Sequence, residues 1–306
     1  GYSTRKMNAG LIRNRGVELS LGGMPVSTKN WKWEMNFNIA KNSNKLVELA
    51  DGVDSYSIYW TSFTTRLYNY AMVGKSLGVI TGNTWERDDN GNIIFHELSA
   101  SQKALYGGEY VPTYNQNTLD ELGNFHPDFT GGFNTSISFK NFRLSANIDF
   151  SVGGQIVSYT NMWGSSSGIL DKTAELNDRG VNVREPVSKG GGIHMTGVDQ
   201  NGNKVDTYVN AKLYYTTASR VWEEWVYDRT YVKLREVSLS YVFPSQTLKK
   251  LNIGLSRASV AINASNPWLI YSACPNVDVS EIGMGYFEGG NAAATRSIGF
   301  TVNLAF

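Results

Sequence analysis

Apolar and polar residues alternate along several segments of this chain, the connections between those segments run short, long, short, long, and aromatic residues gather beside the short ones. Together these observations predict an all-β fold, a transmembrane antiparallel up-and-down β-barrel. The alternation is cleanest in 142–152, where Phe142, Leu144, Ala146, Ile148, Phe150 and Val152 are apolar and the residues between them polar. In 31–39, Trp31, Trp33, Met35, Phe37 and Ile39 alternate with Lys32, Glu34, Asn36 and Asn38, and 297–306 repeats the pattern. Successive strand residues face opposite sides, so each segment has one greasy and one wet face.

Nine strands are expected, near 10–21, 31–42, 66–73, 77–88, 129–139, 142–152, 230–243, 257–265 and 295–306. The short connections are 22–30, Gly74-Lys75-Ser76, Lys140-Asn141 and 244–256, and the long loops are 43–65, 89–128, 153–229 and 266–294. A soluble antiparallel sandwich would also have one wet and one greasy face per strand. Repeated long structureless loops are uncommon in compact domains, whereas outer-membrane barrels combine tight periplasmic turns with long extracellular loops. The chain is therefore expected as one region, 1–306, of barrel wall. With the last strand running down, the C-terminus falls at the periplasmic face and the N-terminus at the extracellular rim. Single-chain bacterial barrels have an even number of strands, so nine imply further polypeptide to close the sheet.

Composition agrees. Charged residues make up 18% of the chain and aromatics 12%, a profile for a turn-rich β-protein and not for a disordered segment. The net charge of +1, with no basic run among aromatics, argues against a nucleic-acid partner. The lone Cys274 excludes an intramolecular disulfide and reads as an inert loop thiol. No stretch approaches the roughly 18 apolar residues of a spanning helix, which leaves a barrel open.

Trp31, Trp33, Phe139, Phe142, Tyr241 and Phe243 lie near short turns, where an interfacial aromatic girdle belongs. Phe300, Val302, Leu304 and Phe306 place an amphipathic strand with a terminal aromatic at the end of the chain, which resembles the recognition signal for barrel assembly.

Several segments then resemble one family. Asn8-Ala-Gly-Leu-Ile-Arg-Asn-Arg-Gly-Val-Glu-Leu19 is similar to a strand entry of TonB-dependent outer-membrane transporters. Gly74-Lys-Ser-Leu-Gly78, Asp88-Asp-Asn-Gly-Asn92, and Phe125-His-Pro-Asp-Phe-Thr-Gly-Gly-Phe-Asn134 are similar to the SusC/RagA branch. So are Tyr231-Val-Lys-Leu-Arg-Glu-Val-Ser-Leu-Ser-Tyr-Val-Phe-Pro244 and the segment Ala258–Tyr271 with its Asn266-Pro-Trp. One departure is Asp278-Val-Ser-Glu281, where many members carry Asp-Pro-Glu; it is expected to alter a loop only. The resemblance implies the last nine strands of a 22-stranded barrel filled by an N-terminal plug. It implies a place in the outer membrane of Bacteroidota, a SusD-like surface lipoprotein as partner, and oligosaccharide or peptide cargo. Energy would come from TonB-ExbB-ExbD through a plug and TonB box that are not in this chain.

No catalytic constellation stands out, so neither enzyme activity nor a cofactor is expected. His96, His126 and His194 are scattered over long loops without metal-ligand spacing. Asp88–Asn92 and Asp199–Asp206 superficially resemble calcium loops but lack the glutamate at the twelfth position, and Asn-Gly is a turn signal. Gly74-Lys75-Ser76 lacks the upstream glycine of a phosphate-binding loop and reads as a turn. Substrate contact is expected from loop aromatics: Tyr159, Trp163, Tyr214 and Tyr215 in 153–229, and Trp268, Tyr286 and Phe287 in 266–294. The bland alternative is that these rings pack the loops against each other. Trp222-Glu-Glu-Trp225 reads as structural, and Lys32, Glu34, Arg143 and Asp149 as lumen charges that pair with one another or with a plug. Active import is the first reading; a passive porin-like barrel and a soluble β-sandwich that binds carbohydrate are its rivals.

Overall fold

The computed structural model describes residues 10–61, 64–251, 254–282, 287–290, 292 and 294–306. Seven strands form one antiparallel sheet, the wall: Leu11–Ser27, Trp31–Glu48, Phe129–Phe139, Phe142–Val152, Tyr231–Val242, Arg257–Ser272 and Ser297–Ala305. Each pairs with its neighbours in chain order, so the sheet is up-and-down, and the first and seventh strands are its open edges.

Register confirms the two faces. Phe37 pairs with Phe133, Phe133 with Ile148, Ile148 with Leu234, and Leu234 with Trp268, one apolar row crossing five strands. A second row runs Trp33, Ile137, Leu144, Leu239, Ile262, Phe300. No second sheet covers this face among the described residues, and Phe300 is 79% exposed. A sandwich would bury it, so the sandwich reading fails. Along the second strand the apolar run Trp31 to Ile39 gives way to Lys41 and Lys45 on the same face. A run of that length is about what a tilted strand needs to cross a bilayer. Trp31 and Phe139 lie 4.3 Å apart by ring centroid, Phe142 and Tyr241 4.7 Å, and Tyr241 and Phe243 5.1 Å, an aromatic band beside the short turns.

Two expected wall strands are not in the wall. Residues 66–73 and 77–88 contain the strands Leu67–Met72 and Val79–Gly82, which belong to a separate four-stranded sheet with Ser55–Thr61 and Asp120–Asn124. The alternation of 67–72 is real, but its inward residues Leu67, Asn69 and Ala71 are buried in protein. Period-two patterning marks a half-buried strand without saying what covers it. The loops expected at 43–65 and 89–128 are consequently one connection, 49–128, because the second wall strand runs on to Glu48. The sixth runs to Ser272, which shortens the loop expected at 266–294.

Nor are the long connections structureless. Ile94–Glu97 and Tyr110–Pro112 of the first form a four-stranded sheet with Ile193–Asp199 and Lys204–Val209 of the second. Gln155–Ser158 pairs with Val226–Asp228 of its own connection and with Phe287–Glu288 of the third. Three connections thus interlock into one cap at the end of the wall opposite the short turns. The largest core cluster lies there, built from Leu67, Ile80, Trp85, Val157, Met162, Trp222 and Trp225 among others.

Gly153 and Gly154 make the exit from the fourth wall strand into the cap. Both have φ of +77°, and a Cβ on Gly154 would sit 2.6 Å from the Phe125 carbonyl oxygen. Only glycine fits such a left-handed, closely approached position.

Candidate functional site

The polar face of the wall carries a chain of charges. Lys32 lies 2.6 Å from Glu34, Arg143 3.4 Å from the same carboxylate, and Ser136 donates to it at 3.2 Å. Nearer the cap, Arg235 meets Asp149 at 2.9 Å. The lumen charges expected from the sequence therefore pair within the wall.

Above them sits a network that sequence reasoning missed. Lys233 is only 1% exposed and donates to Asp278 at 2.7 Å, Glu281 at 2.7 Å and Ser280 at 3.1 Å. Arg235 also bonds Glu281. The register shifts between Leu234 and Glu236, so Arg235 is an extra residue in a bulge, a device that re-aims a side chain. The facing strand bulges too. Asn266 takes φ of +50° and Pro267 follows, both tolerated where the ladder is interrupted, and the Asn266 amide oxygen accepts from Arg235 at 3.5 Å. Asp278-Val-Ser-Glu281 thus anchors the third connection onto the wall. The signal in the sequence was two cations, Lys233 and Arg235, in an otherwise alternating strand.

The cap is held by Trp222-Glu-Glu-Trp225, a 3-10 turn with both indoles buried. Glu224 accepts from the Trp85 indole at 2.6 Å and Glu223 from the Trp85 backbone N–H at 3.2 Å. Trp225 donates to the Ala218 carbonyl at 2.8 Å. This segment is structural.

Of the aromatics expected to touch substrate, the structure brings three together. Tyr159, Trp163 and Phe287 line a cavity of about 530 Å³ with Tyr59, Thr61 and Thr160. Phe287 stacks on Tyr59 at 4.7 Å and meets Tyr159 edge-on at 5.3 Å. Phe287 is placed by its neighbour Glu288, a buried carboxylate that accepts from the Ser158 hydroxyl at 2.7 Å, the Thr160 N–H at 3.3 Å and the Thr160 hydroxyl. Ser158 caps the helix Tyr159–Ser166, whose N-terminal dipole also favours a carboxylate there. Burial pushes the Tyr159 phenol up to about 12, so it stays protonated. Tyr59 falls in the expected loop 43–65, of which Ser55–Thr61 is in fact a strand with a register shift between Ser57 and Tyr59.

The others lie elsewhere. Tyr215 is buried and donates to the Lys172 carbonyl at 2.9 Å, while Tyr214 stacks on Trp85 and reaches Glu224 at 3.4 Å. Both belong to the packing of the cap. Trp268 stands on the apolar face of the wall, paired with Leu234, away from the polar face. Tyr286 lies outside the described residues. Phe300, Val302 and Leu304 share the apolar face of the last strand, and Phe306 follows its end.

The two Asp-Asn-Gly segments are turns of identical construction. Asp88 accepts from the backbone of Asn90 and Asn92 and from the Asn92 amide, and Asp199 does the same with Asn201 and Asn203. Their carboxylates are spent on the loop itself. Gly74, with φ of +88°, is likewise a turn. His194 sits between Asp178 at 2.9 Å and Asp206 at 2.7 Å, and His126 is half-buried, which lowers its pKa.

Wall and cap first define a class: a stretch of transmembrane β-barrel with a polar inner face and a folded cap made from its own long connections. No family model matches the chain. It is 27% identical over 286 residues to TonB-dependent receptor P3 of Formosa agariphila, covering 91% of this chain and 26% of that protein. Over 157 residues it is 38% identical to TonB-dependent receptor SusC of Bacteroides thetaiotaomicron, covering 49% of this chain and 15% of SusC. Among solved structures, the RagAB peptide importer in its closed-closed state superposes with a TM-score of 0.66 at 17% identity, over 98% of this chain and 30% of that one. In sequence and in fold the chain is therefore similar to barrel wall of the SusC/RagA type among TonB-dependent outer-membrane transporters. It spans between 26% and 30% of the length of the three curated receptors from Formosa agariphila that it matches.

Proposed function

We propose that this chain supplies wall and cap to an importer that moves a glycan or peptide nutrient across the outer membrane at the expense of TonB-transmitted energy. The observation that carries the reading is the interlocked cap, rooted by the ion pairs of the buried Lys233 on the polar face of a lipid-facing wall that is similar to TonB-dependent receptors. The long connections would face the cell exterior, where a SusD-like lipoprotein could seat on them, and the short turns the periplasm. TonB-ExbB-ExbD would act through a plug. Phe300, Val302, Leu304 and Phe306 would present the strand by which the barrel is recognised for assembly. The proposed chemistry is binding and release only, with no covalent change to cargo.

Uptake in a strain lacking the TonB protein is the test. Import of the nutrient that supports growth through this transporter should fall to background, and the same rate with and without TonB would favour the passive barrel.

A further inference from the structure

The outer face of the wall changes character where its first two strands rise past the apolar band. On the second strand Ile39 is followed on that face by Lys41, Ser43 and Lys45, and on the first Leu19 gives way to Val17, Arg15 and Arg13. Register sets Lys41 opposite Val17, Ser43 opposite Arg15, and Lys45 opposite Arg13. Asn44 and Leu46 face the other way and are buried beneath the cap, where the Asn44 amide oxygen accepts from the Leu77 N–H at 2.6 Å. The four cations are exposed. None of them has an ion-pair partner among the described residues, and Lys41 lies over the Phe129 ring at 5.0 Å. The acids of these strands stand elsewhere: Glu18 opposite Ala40 and Glu34 beside Ser136 on the polar face, and Glu48 beyond the column, opposite Leu11. Like charges directly opposed on a sheet repel, so the Arg13–Lys45 pair favours an anion between its members.

Position and height narrow that anion. The column continues the lipid-facing surface, which brings it against the headgroups of the membrane itself. Each step of two residues advances about 7 Å along a strand and, at a tilt near 45°, about 5 Å in height. Lys41 thus stands about 5 Å above Ile39, Arg15 about 10 Å, and the Arg13–Lys45 pair about 15 Å. The headgroup layer of a simple phospholipid is only roughly 5–8 Å deep. Phosphate carried on a sugar headgroup reaches higher, and the forked donors of arginine suit it.

We propose that Arg13, Arg15, Lys41 and Lys45 form a docking surface for a phosphorylated glycolipid of the leaflet on the cap side. This goes beyond the import reading and rests on it only in setting that leaflet at the cell exterior.

Native mass spectrometry of the full transporter in neutral detergent tests it, with phosphorylated lipid A, the same lipid dephosphorylated, and phosphatidylglycerol as probes. Phosphorylated lipid A should bind at least fivefold more tightly than either of the others. Lys45→Gln should weaken it about fivefold and the double variant Arg13→Gln with Lys45→Gln about twenty-fivefold, at the usual value of one cation near a membrane surface. In lipid-free detergent the melting temperature of both variants should be unchanged or raised, because an opposed pair of cations is relieved. Lys204→Gln, on an exposed hairpin of the cap, should leave binding as it was. Equal binding of the dephosphorylated lipid, equal binding of phosphatidylglycerol, or affinity unmoved in the double variant would overturn the proposal. TonB-dependent uptake without a preference for phosphorylated lipid A would sink this inference and leave the import reading standing; the preference without TonB-dependent uptake would do the reverse.

Discussion

Lys233 shows how a single residue ties wall to cap. A buried ammonium is expensive unless it is paired, and three oxygen-bearing side chains of one connection surround it. Removing Lys233 leaves Asp278 without its cation and Glu281 with Arg235 alone. Lys233→Met should therefore destabilise the anchored connection by about 2–3 kcal/mol, below the value for a fully buried pair because Asp278 and Glu281 keep partial solvent contact. Hydrogen exchange at 278–282 would read this directly, and unchanged protection would contradict the anchor. The pH dependence has a definite sign. Burial pushes the Asp278 carboxyl up, but hydrogen bonds from Lys233 and Ser280 outweigh it and hold the group below its ordinary 3.8. The Lys233 hydrogen bond holds Glu281 below 4.5 against burial. Depressed carboxyls lend stability at pH above their unfolded values and lose it as pH falls through the folded ones. Protection at 278–282, corrected for intrinsic exchange, should thus persist from neutrality to about pH 4 and then fail. Loss near pH 6 would point to a histidine instead.

At the scale of the strand, the two faces make opposite predictions for neighbouring residues. Arginine at Ile148 or Phe37 enters the apolar row and should cost about 2–4 kcal/mol. At Asn147 or Asn36 it joins a polar face that already holds Glu34, Arg143 and Glu236, and the effect should be mild. Refolding titrations into lipid vesicles would compare the four variants, and equal tolerance would contradict the assignment of faces. Elements also show where sequence reading stops. Wall strands were legible because lipid on one side and a polar lumen on the other print the same alternation over many residues. The strand 67–72 alternates in burial against protein and 79–82 is buried throughout, and nothing local says that protein covers them and not lipid. Bulges at Arg235 and Asn266 were hidden because a bulge is defined by the partner strand.

For the whole molecule, the open edges of the seven-stranded sheet and its lipid-facing apolar surface make one prediction about the protein in its membrane. A gel of the outer-membrane fraction, probed with an antibody to 297–306, should show heat-modifiable migration, faster unboiled than boiled, as a closed barrel resists detergent. A band found only in the soluble fraction would refute the membrane assignment. The cap adds a further expectation of scale: because three connections share its sheets and core, they should lose protection together and not one by one.

The sequence by itself determined the barrel class, the faces of the wall strands, the aromatic band and the family resemblance. Each rests on periodicity or on motifs written in consecutive residues. It also placed Tyr159, Trp163 and Phe287 among the candidates, while giving no reason to prefer them over Tyr214, Tyr215 or Trp268. Only the tertiary structure decided that the wall here has seven strands, that the long connections fold into a cap, and which aromatics line a cavity. The physical reason is sequence separation. Trp85 meets Glu224, Ser158 meets Glu288 and Arg235 meets Asp149 across contacts of 139, 130 and 86 residues, and such pairings leave no mark in any local pattern.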